Sequence, residues 1–134
     1  MPAKILIVDD HEVVREGVKT LIMGSRPEWT ICGEASNGEQ AIQAIENLKP
    51  DVVVLDVTMP KMSGFDAAIK IADLKLGCRV LIFTMHESDR LPHDVRAAQA
   101  QGFVLKTQAA RDLIRAIECV LAGGTFFGSE TVPV

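Results

Sequence analysis

The chain has 134 residues, of which 48% are hydrophobic, and this is enough for one domain with a single core. Its formal net charge is −4 and its isoelectric point is near 5.3, with Lys and Arg scattered along the sequence. Because no basic stripe is present to neutralise phosphates, we do not expect this segment alone to bind nucleic acid.

The three cysteines, Cys32, Cys78 and Cys119, are odd in number, widely spaced and outside any CxxC pattern. They indicate neither a disulfide framework nor a zinc site, and they favour a reduced, cytoplasmic setting. No apolar stretch approaches the roughly 20 residues that span a bilayer, and the N-terminus lacks a signal-peptide pattern. We therefore expect a cytoplasmic protein without a membrane partner.

Apolar runs and helical patterns alternate from the N-terminus onward. A predicted strand at residues 5–8 is followed by apolar residues at helical spacing, a pattern that Gly24 stops. Residues 29–35 form a weaker strand of mixed polarity, which suits a sheet edge. Ser36 and Glu39 have the spacing of a capping box and predict the start of a second helix.

The rest of the chain repeats this alternation. Its predicted elements are strand 52–55, a turn over 59–64, helix 65–74, strand 80–83, helix 88–101 with Pro92 near its start, and strand 103–105. A fifth helix has a clear apolar face and ends at Gly123 and Gly124. Residues 125–134 have no period, so we assign residues 1–124 to one domain and 125–134 to a tail or linker stub.

Five strand–helix pairs with right-handed crossovers predict an α/β fold of the flavodoxin-like (βα)5 type. This is a three-layer sandwich whose parallel sheet has the strand order 2-1-3-4-5. In this order the first and third strands are neighbours.

Four of the apolar runs are followed by residues whose side chains can bind or accept a phosphoryl group, directly or through a metal ion. They are Asp9 and Asp10, Asp56, Thr84, and Lys106. Because the ligand site of an open α/β sheet lies beyond the carboxyl ends of its strands, these side chains should converge.

Three carboxylates a few ångströms apart repel one another, and a hard divalent cation relieves that repulsion. Mg²⁺ prefers oxygen ligands, and we expect Asp10, Asp56 and the backbone carbonyl of Thr58 to bind it directly. Asp56 could then act as a nucleophile on phosphorus. Lys106 would neutralise one phosphoryl oxygen and the Thr84 hydroxyl would donate to another.

With these residues in view, the chain resembles the receiver domain of two-component response regulators over residues 4–122. The resemblance is carried by Val8-Asp9-Asp10, by residues 56–60 with Gly64, by Thr84, and by residues 103–106. It implies that Asp56 is the phosphoacceptor, that Asp9 and Asp10 hold Mg²⁺, and that Thr84 and Lys106 bind the phosphoryl group. It also implies that Phe103 is the aromatic that moves inward when the threonine is drawn to the phosphate.

A finer resemblance, to the NarL/FixJ subfamily, comes from residues 10–17 and 84–86. Receivers of this subfamily usually precede a LuxR-type helix-turn-helix, which this chain lacks. The resemblance implies a sensor histidine kinase as partner, homodimer formation on phosphorylation, and transcription regulation with DNA contacted only through a missing output domain. The alternative is a stand-alone receiver that signals by docking.

The sequence departs from the receiver pattern in the loop after Lys106, where Thr107 replaces the frequent proline. We expect trans geometry or local strain at the Lys106–Thr107 peptide bond.

Met85 is bulkier than the small residue that receivers often have directly after the strand-end threonine, here Thr84. We therefore place Met85 and His86 at the rim of the pocket. An exposed loop position is the alternative for His86, and the histidines have no metal-ligand spacing.

Rival functions have specific weaknesses. Mg²⁺-dependent phosphatases of the haloacid dehalogenase type have the motif Asp-x-Asp at their nucleophile. The corresponding residues here, Asp56-Val57-Thr58, lack the second Asp. A nucleotide or flavin binder needs a phosphate-cradling loop after the first strand, where this chain has acidic residues. A receiver-like binding module that is not phosphorylated would not need all of the phosphoryl-site residues. The presence of Asp10, Asp56, Thr84 and Lys106 argues against this function. We therefore predict a signalling switch that catalyses its own phosphorylation and dephosphorylation, not an enzyme acting on external substrates.

Overall fold

The computed structural model describes residues 3–128, which form one parallel sheet with helices on both faces. The strands are β1 (Lys4–Val8), β2 (Thr30–Ala35), β3 (Val52–Asp56), β4 (Arg79–Thr84), β5 (Gly102–Leu105) and β6 (Phe126–Phe127). The helices are α1 (Glu12–Ser25), α2 (Gly38–Leu48), α3 (Gly64–Asp73), α4 (Leu91–Ala97) and α5 (Ala109–Leu121), with a 3₁₀ turn at Lys106–Gln108.

The sheet order is β2-β1-β3-β4-β5-β6, which confirms the predicted order of the first five strands. All five residues of β3 are buried, since this central strand is covered on both faces. The register pairs Val8 with Leu55, and Asp56 with Phe83, so β1, β3 and β4 end close to one another. This alignment brings the residues after the strands to one edge of the sheet.

Alternating strand residues divide the interior into two cores. In β3, Val53 and Leu55 pack toward α2, α3 and α4, whereas Val52 and Val54 pack toward α1 and α5. This is the period of two expected of a strand buried on both faces. The predicted three-layer sandwich is therefore confirmed.

The sixth strand was not predicted. Phe126 and Phe127 pair in parallel with Gly102 and Phe103 of β5, although they belong to the stretch that the sequence analysis assigned to a tail. A two-residue strand is too short to show a period, and only its pairing with β5 defines it. The remainder of that stretch, residues 129–134, lies outside the described residues.

Two helix boundaries also differ from prediction. The N-cap of α2 is Asn37, not Ser36, because Asn37 Oδ1 accepts a hydrogen bond from the Gln40 backbone N–H at 2.9 Å. The Gln40 side chain reaches back to the Ser36 N–H, so the capping pair is displaced by one residue. Helix α4 covers only Leu91–Ala97, shorter than the predicted 88–101, and Pro92 lies in its first turn as predicted.

Candidate functional site

The carboxyl edge of the sheet gathers the polar residues that follow its strands. Asp9 comes directly after β1, Asp56 and Thr84 end β3 and β4, and Lys106 comes directly after β5. Asp9, Asp56 and Thr84 are 1%, 3% and 4% exposed, in a protein whose buried residues are otherwise almost all apolar. Burial of two carboxylates without a compensating charge is strongly unfavourable, so their partners decide whether the site is stable.

Lys106 supplies that compensation. Its Nζ lies 2.7 Å from Asp9 Oδ2 and 3.0 Å from Asp56 Oδ1. Burial disfavours the charged ammonium, but hydrogen bonds to Asp9 and Asp56 outweigh it and raise the pKa of Lys106. The ammonium therefore remains charged between two buried carboxylates.

The pKa of the Asp56 carboxyl is raised, mainly because burial disfavours its charged form, with a further contribution from the charge of Asp9. The hydrogen bond from Lys106 opposes this shift. Within residues 3–128, Asp56 Oδ2 is buried and accepts no hydrogen bond. An electron-rich oxygen without a donor is the atom that a cation or an electrophile would meet.

Asp10 and His11 form the outer side of the site. The Asp10 side chain is 28% exposed, and His11 Nδ1 lies 2.9 Å from Asp10 Oδ1 and 3.2 Å from Asp9 Oδ1. One ligand atom from each of Asp9, Asp10, His11 and Asp56 can be chosen so that all lie within 4.8 Å of one another. The three carboxylates of this group, including the Asp56 oxygen without a hydrogen-bond donor, fit a hard divalent cation such as Mg²⁺.

His11 belongs to this group although the histidines of the sequence have no metal-ligand spacing. Spacing rules describe ligands separated along a helix or loop, and His11 simply follows Asp10. It occupies the N-cap of α1, where its side chain makes no capping bond and its ring turns back toward the carboxylates. The position of His11 directly after Asp9 and Asp10 is the feature of the sequence that could have indicated its place in the site.

Arg15 was also missed, because its role is to hold the Asp9 backbone. Its Nη1 donates to the Asp9 carbonyl at 2.7 Å, and its Nε donates to Glu34 Oε1 at 2.9 Å. Lys19 donates to the same carboxylate at 2.8 Å, and this bond is the main reason that the pKa of Glu34 is lowered. These bonds join α1 to β2 beside the site.

The loop after Asp56 folds tightly against the end of β3. The Gly64 N–H donates to the Val57 carbonyl at 2.8 Å, and a Cβ at Gly64 would lie 2.0 Å from the Asp56 carbonyl oxygen. Only glycine fits this approach. The Thr58 N–H faces Asp56 Oδ1 at 3.4 Å, and metal binding by the Thr58 carbonyl stays a prediction.

Thr84 has its hydroxyl oxygen at the end of β4, where Oγ1 accepts a hydrogen bond from the His86 backbone N–H at 3.2 Å. The side chains of Met85 and His86 are exposed. Met85 lines an apolar groove of about 390 Å³ between α1 and the start of α5, and Lys106 also lines this groove. The predicted role of Met85 and His86 at the pocket rim stays a prediction.

Phe103 is buried three residues before Lys106. Its ring packs edge-to-face on Phe127 of β6, with centroids 5.8 Å apart and planes at 81°. The switch role of Phe103 stays a prediction.

In the described part of the chain all peptide bonds are trans, so the Lys106–Thr107 bond has trans geometry. The chain then enters α5 through the 3₁₀ turn.

Within residues 3–128, none of the helices combines the length and the apolar character that crossing a membrane requires.

Comparison with known proteins gives one consistent result. The family described as the response regulator receiver domain matches residues 5–118. The nitrate/nitrite response regulator NarL of Escherichia coli K12 is 39% identical over 99% of this chain, and the transcriptional regulatory protein YdfI of Bacillus subtilis is 38% identical over 90%. The chain covers 61% of NarL and 55% of YdfI, so it spans little more than half the length of such relatives.

A solved structure shows the same similarity. The structure of a LuxR-family two-component response regulator from Aurantimonas sp. SI85-9A1 has a TM-score of 0.90 and is 35% identical. The match covers 97% of this chain and 92% of the other.

Proposed function

Because the chain belongs to the response regulator receiver domain family, we propose that it accepts a phosphoryl group on Asp56 in a Mg²⁺-dependent reaction and thereby switches an output. The observation that carries this proposal is the environment of the Asp56 carboxylate. Its Oδ2 is buried and accepts no hydrogen bond from the described residues, its Oδ1 contacts the Lys106 ammonium, and it lies in a group of possible metal ligands.

In the proposed reaction an Asp56 carboxylate oxygen attacks the phosphorus of a phosphohistidine on a sensor histidine kinase. A P–O bond forms, the P–N bond breaks, and the leaving imidazole takes up a proton. Asp9, Asp10, Asp56 and the Thr58 carbonyl would hold Mg²⁺, which when bound offsets negative charge on the phosphoryl oxygens. The same family and the NarL similarity support a kinase as partner.

Two residues of the chain stabilise the product in this proposal. Lys106, now shared between Asp9 and Asp56, would turn its ammonium to a phosphoryl oxygen. Thr84 would donate its hydroxyl to another, and Phe103 would move inward as Thr84 does. Phosphorylation would add a charge of about −1.5 to −2 at Asp56. This charge shifts the equilibrium between two conformations of the domain only if it stabilises one of them more than the other.

The proposed output is transcription regulation through a DNA-binding domain not contained in these residues, with homodimer formation on phosphorylation. The names and greater length of the relatives support this reading. In the same proposal residues 1–124 form the receiver and residues 125–134 begin a linker. The chain acts as a switch that phosphorylates and dephosphorylates itself.

Incubation with Mg²⁺ and a small acyl phosphate tests the proposal. Intact-mass measurement should show one added phosphoryl group on the wild-type chain, none with a chelator, and none on Asp56→Asn. The matched control is Asp73→Asn, an exposed carboxylate at the end of α3, which should be labelled like wild type. Equal labelling of Asp56→Asn and wild type would refute the assignment.

A further inference from the structure

The imidazole of His11 occupies a position that the receiver chemistry does not require. Its Nδ1 lies 2.9 Å from Asp10 Oδ1 and 3.2 Å from Asp9 Oδ1, so two carboxylates converge on one nitrogen. The ring is 65% exposed and is therefore free of the packing that fixes a structural histidine.

These separations are those of hydrogen bonds between the ring and the two carboxylates, and they also match those between adjacent ligands of a single metal ion. In an octahedron with bonds of about 2.1 Å, adjacent ligand atoms lie about 3.0 Å apart and opposite ones about 4.2 Å apart. The two His11 distances are those of adjacent ligands. One ligand atom from each residue of the group, including one oxygen of Asp56, can be chosen so that all lie within 4.8 Å of one another, slightly more than the distance between opposite ligands.

Two further observations indicate a cation here. Asp56 Oδ2 is buried and accepts no hydrogen bond from the described residues. In addition, Asp9 uses separate oxygens, because Oδ2 contacts Lys106, whereas Oδ1 accepts the His11 backbone N–H at 2.9 Å and lies 3.2 Å from His11 Nδ1. A cation bound on the His11 side of Asp9 would therefore leave the Lys106 contact in place.

We infer that His11 Nδ1 is a ligand for borderline transition-metal cations such as Ni²⁺ and Zn²⁺, so that His11 sets the metal preference of the site. Imidazole nitrogen binds these ions well, whereas Mg²⁺ takes oxygen ligands and keeps several waters. Ni²⁺ or Zn²⁺ would thus gain one protein ligand that Mg²⁺ does not use. The inference deepens the proposed function, since it rests on the same metal site.

The test compares Ni²⁺ and Mg²⁺ affinities by calorimetry at one pH for tag-free wild type, His11→Gln and His93→Gln. His93 is an exposed histidine of α4, and its replacement controls for adventitious binding. We expect His11→Gln to weaken Ni²⁺ binding by at least about tenfold, the lower bound for loss of a partner that only orients a ligand. Mg²⁺ affinity should change by less than about twofold, since Mg²⁺ is not expected to use the nitrogen, and His93→Gln should match wild type.

A second readout locates the contact. The ¹⁵N resonance of His11 Nδ1 should shift much further on addition of Zn²⁺, which binds the nitrogen, than on addition of Mg²⁺, which reaches it only through the neighbouring Asp9 and Asp10 carboxylates. Unchanged Ni²⁺ affinity in His11→Gln, an equal loss for both metals, or an unshifted Nδ1 resonance would each overturn the inference. Mg²⁺-dependent labelling of the wild-type chain is followed in parallel, so that failure of the proposed function, seen as absent labelling, is distinguished from failure of this inference.

Discussion

Lys106 Nζ lies 3.0 Å from Asp56 Oδ1, so the proposed phosphoacceptor is paired with an ammonium before any phosphoryl group arrives. The same nitrogen contacts Asp9 at 2.7 Å. One buried cation thus joins two carboxylates at the ends of neighbouring strands. Phosphoryl transfer to Asp56 would give that cation a stronger competing acceptor.

Replacement of Lys106 by Met should destabilise the metal-free protein strongly. The substitution leaves two buried carboxylates without their cation, and removal of one partner of a buried ion pair costs about 3 to 5 kcal/mol. Urea unfolding with a chelator at neutral pH measures the loss. Lys70→Met, at an exposed position in α3, is the control and should change stability by less than about 0.5 kcal/mol. A loss below about 1 kcal/mol for Lys106→Met would mean that the ion pair does not hold these charges.

Stability should depend on pH through Asp56. Its pKa is raised in the folded protein, so between its ordinary value of 3.8 and its folded value the folded state binds more protons than the unfolded state. Stability from this group is therefore greatest below that window and falls as pH rises through it. Asp56→Asn removes the titration. In chelator-treated samples, the free energy of unfolding of wild type minus that of Asp56→Asn should decrease from about pH 4 upward, and an increase would contradict the raised pKa.

Gly64→Ala should damage both stability and labelling. The new Cβ would meet the Asp56 carbonyl oxygen at 2.0 Å, so the backbone that carries the proposed phosphoacceptor must shift. We expect a loss of about 1 to 3 kcal/mol, as for other overpacked sites, and slower labelling by an acyl phosphate.

Gly17→Ala is the matched control for this variant. Gly17 lies within α1, and a Cβ there would meet nothing within 4 Å. Since Ala has the higher helix propensity, this variant should gain up to about 1 kcal/mol. Similar losses in both variants would show that the close approach to Asp56 is not the cause.

The strand-end residues were predictable because a parallel sheet brings its carboxyl ends to one edge, whatever the details of its helices. The sequence could not show that Lys106 pairs with both Asp9 and Asp56, since a strand-end position does not determine a side-chain partner. The choice of Asn37 over Ser36 as N-cap depended on backbone geometry at that turn. Strand β6 exists only through its pairing with β5, and that contact has no local signature.

The contact between Phe103 and Phe127 should stabilise β6 measurably. A double-mutant cycle with Phe103→Leu and Phe127→Leu should give a coupling energy of about 0.5 to 1.5 kcal/mol, as for other edge-to-face pairs. Equilibrium unfolding of the four proteins supplies the values. Additive losses, with no coupling, would mean that the two rings stabilise the fold independently of each other.

The proposed function requires that Asp56, and no other carboxylate, accepts the phosphoryl group. Borohydride reduces an acyl phosphate to an alcohol, so treatment of the labelled chain followed by peptide mass mapping locates the modified residue. We predict homoserine at position 56 alone, formed only when Mg²⁺ and the phosphodonor are both present. Reduction at Asp9 or Asp10, or no reduced residue in a chain that has gained phosphoryl mass, would show that Asp56 is not the phosphoacceptor.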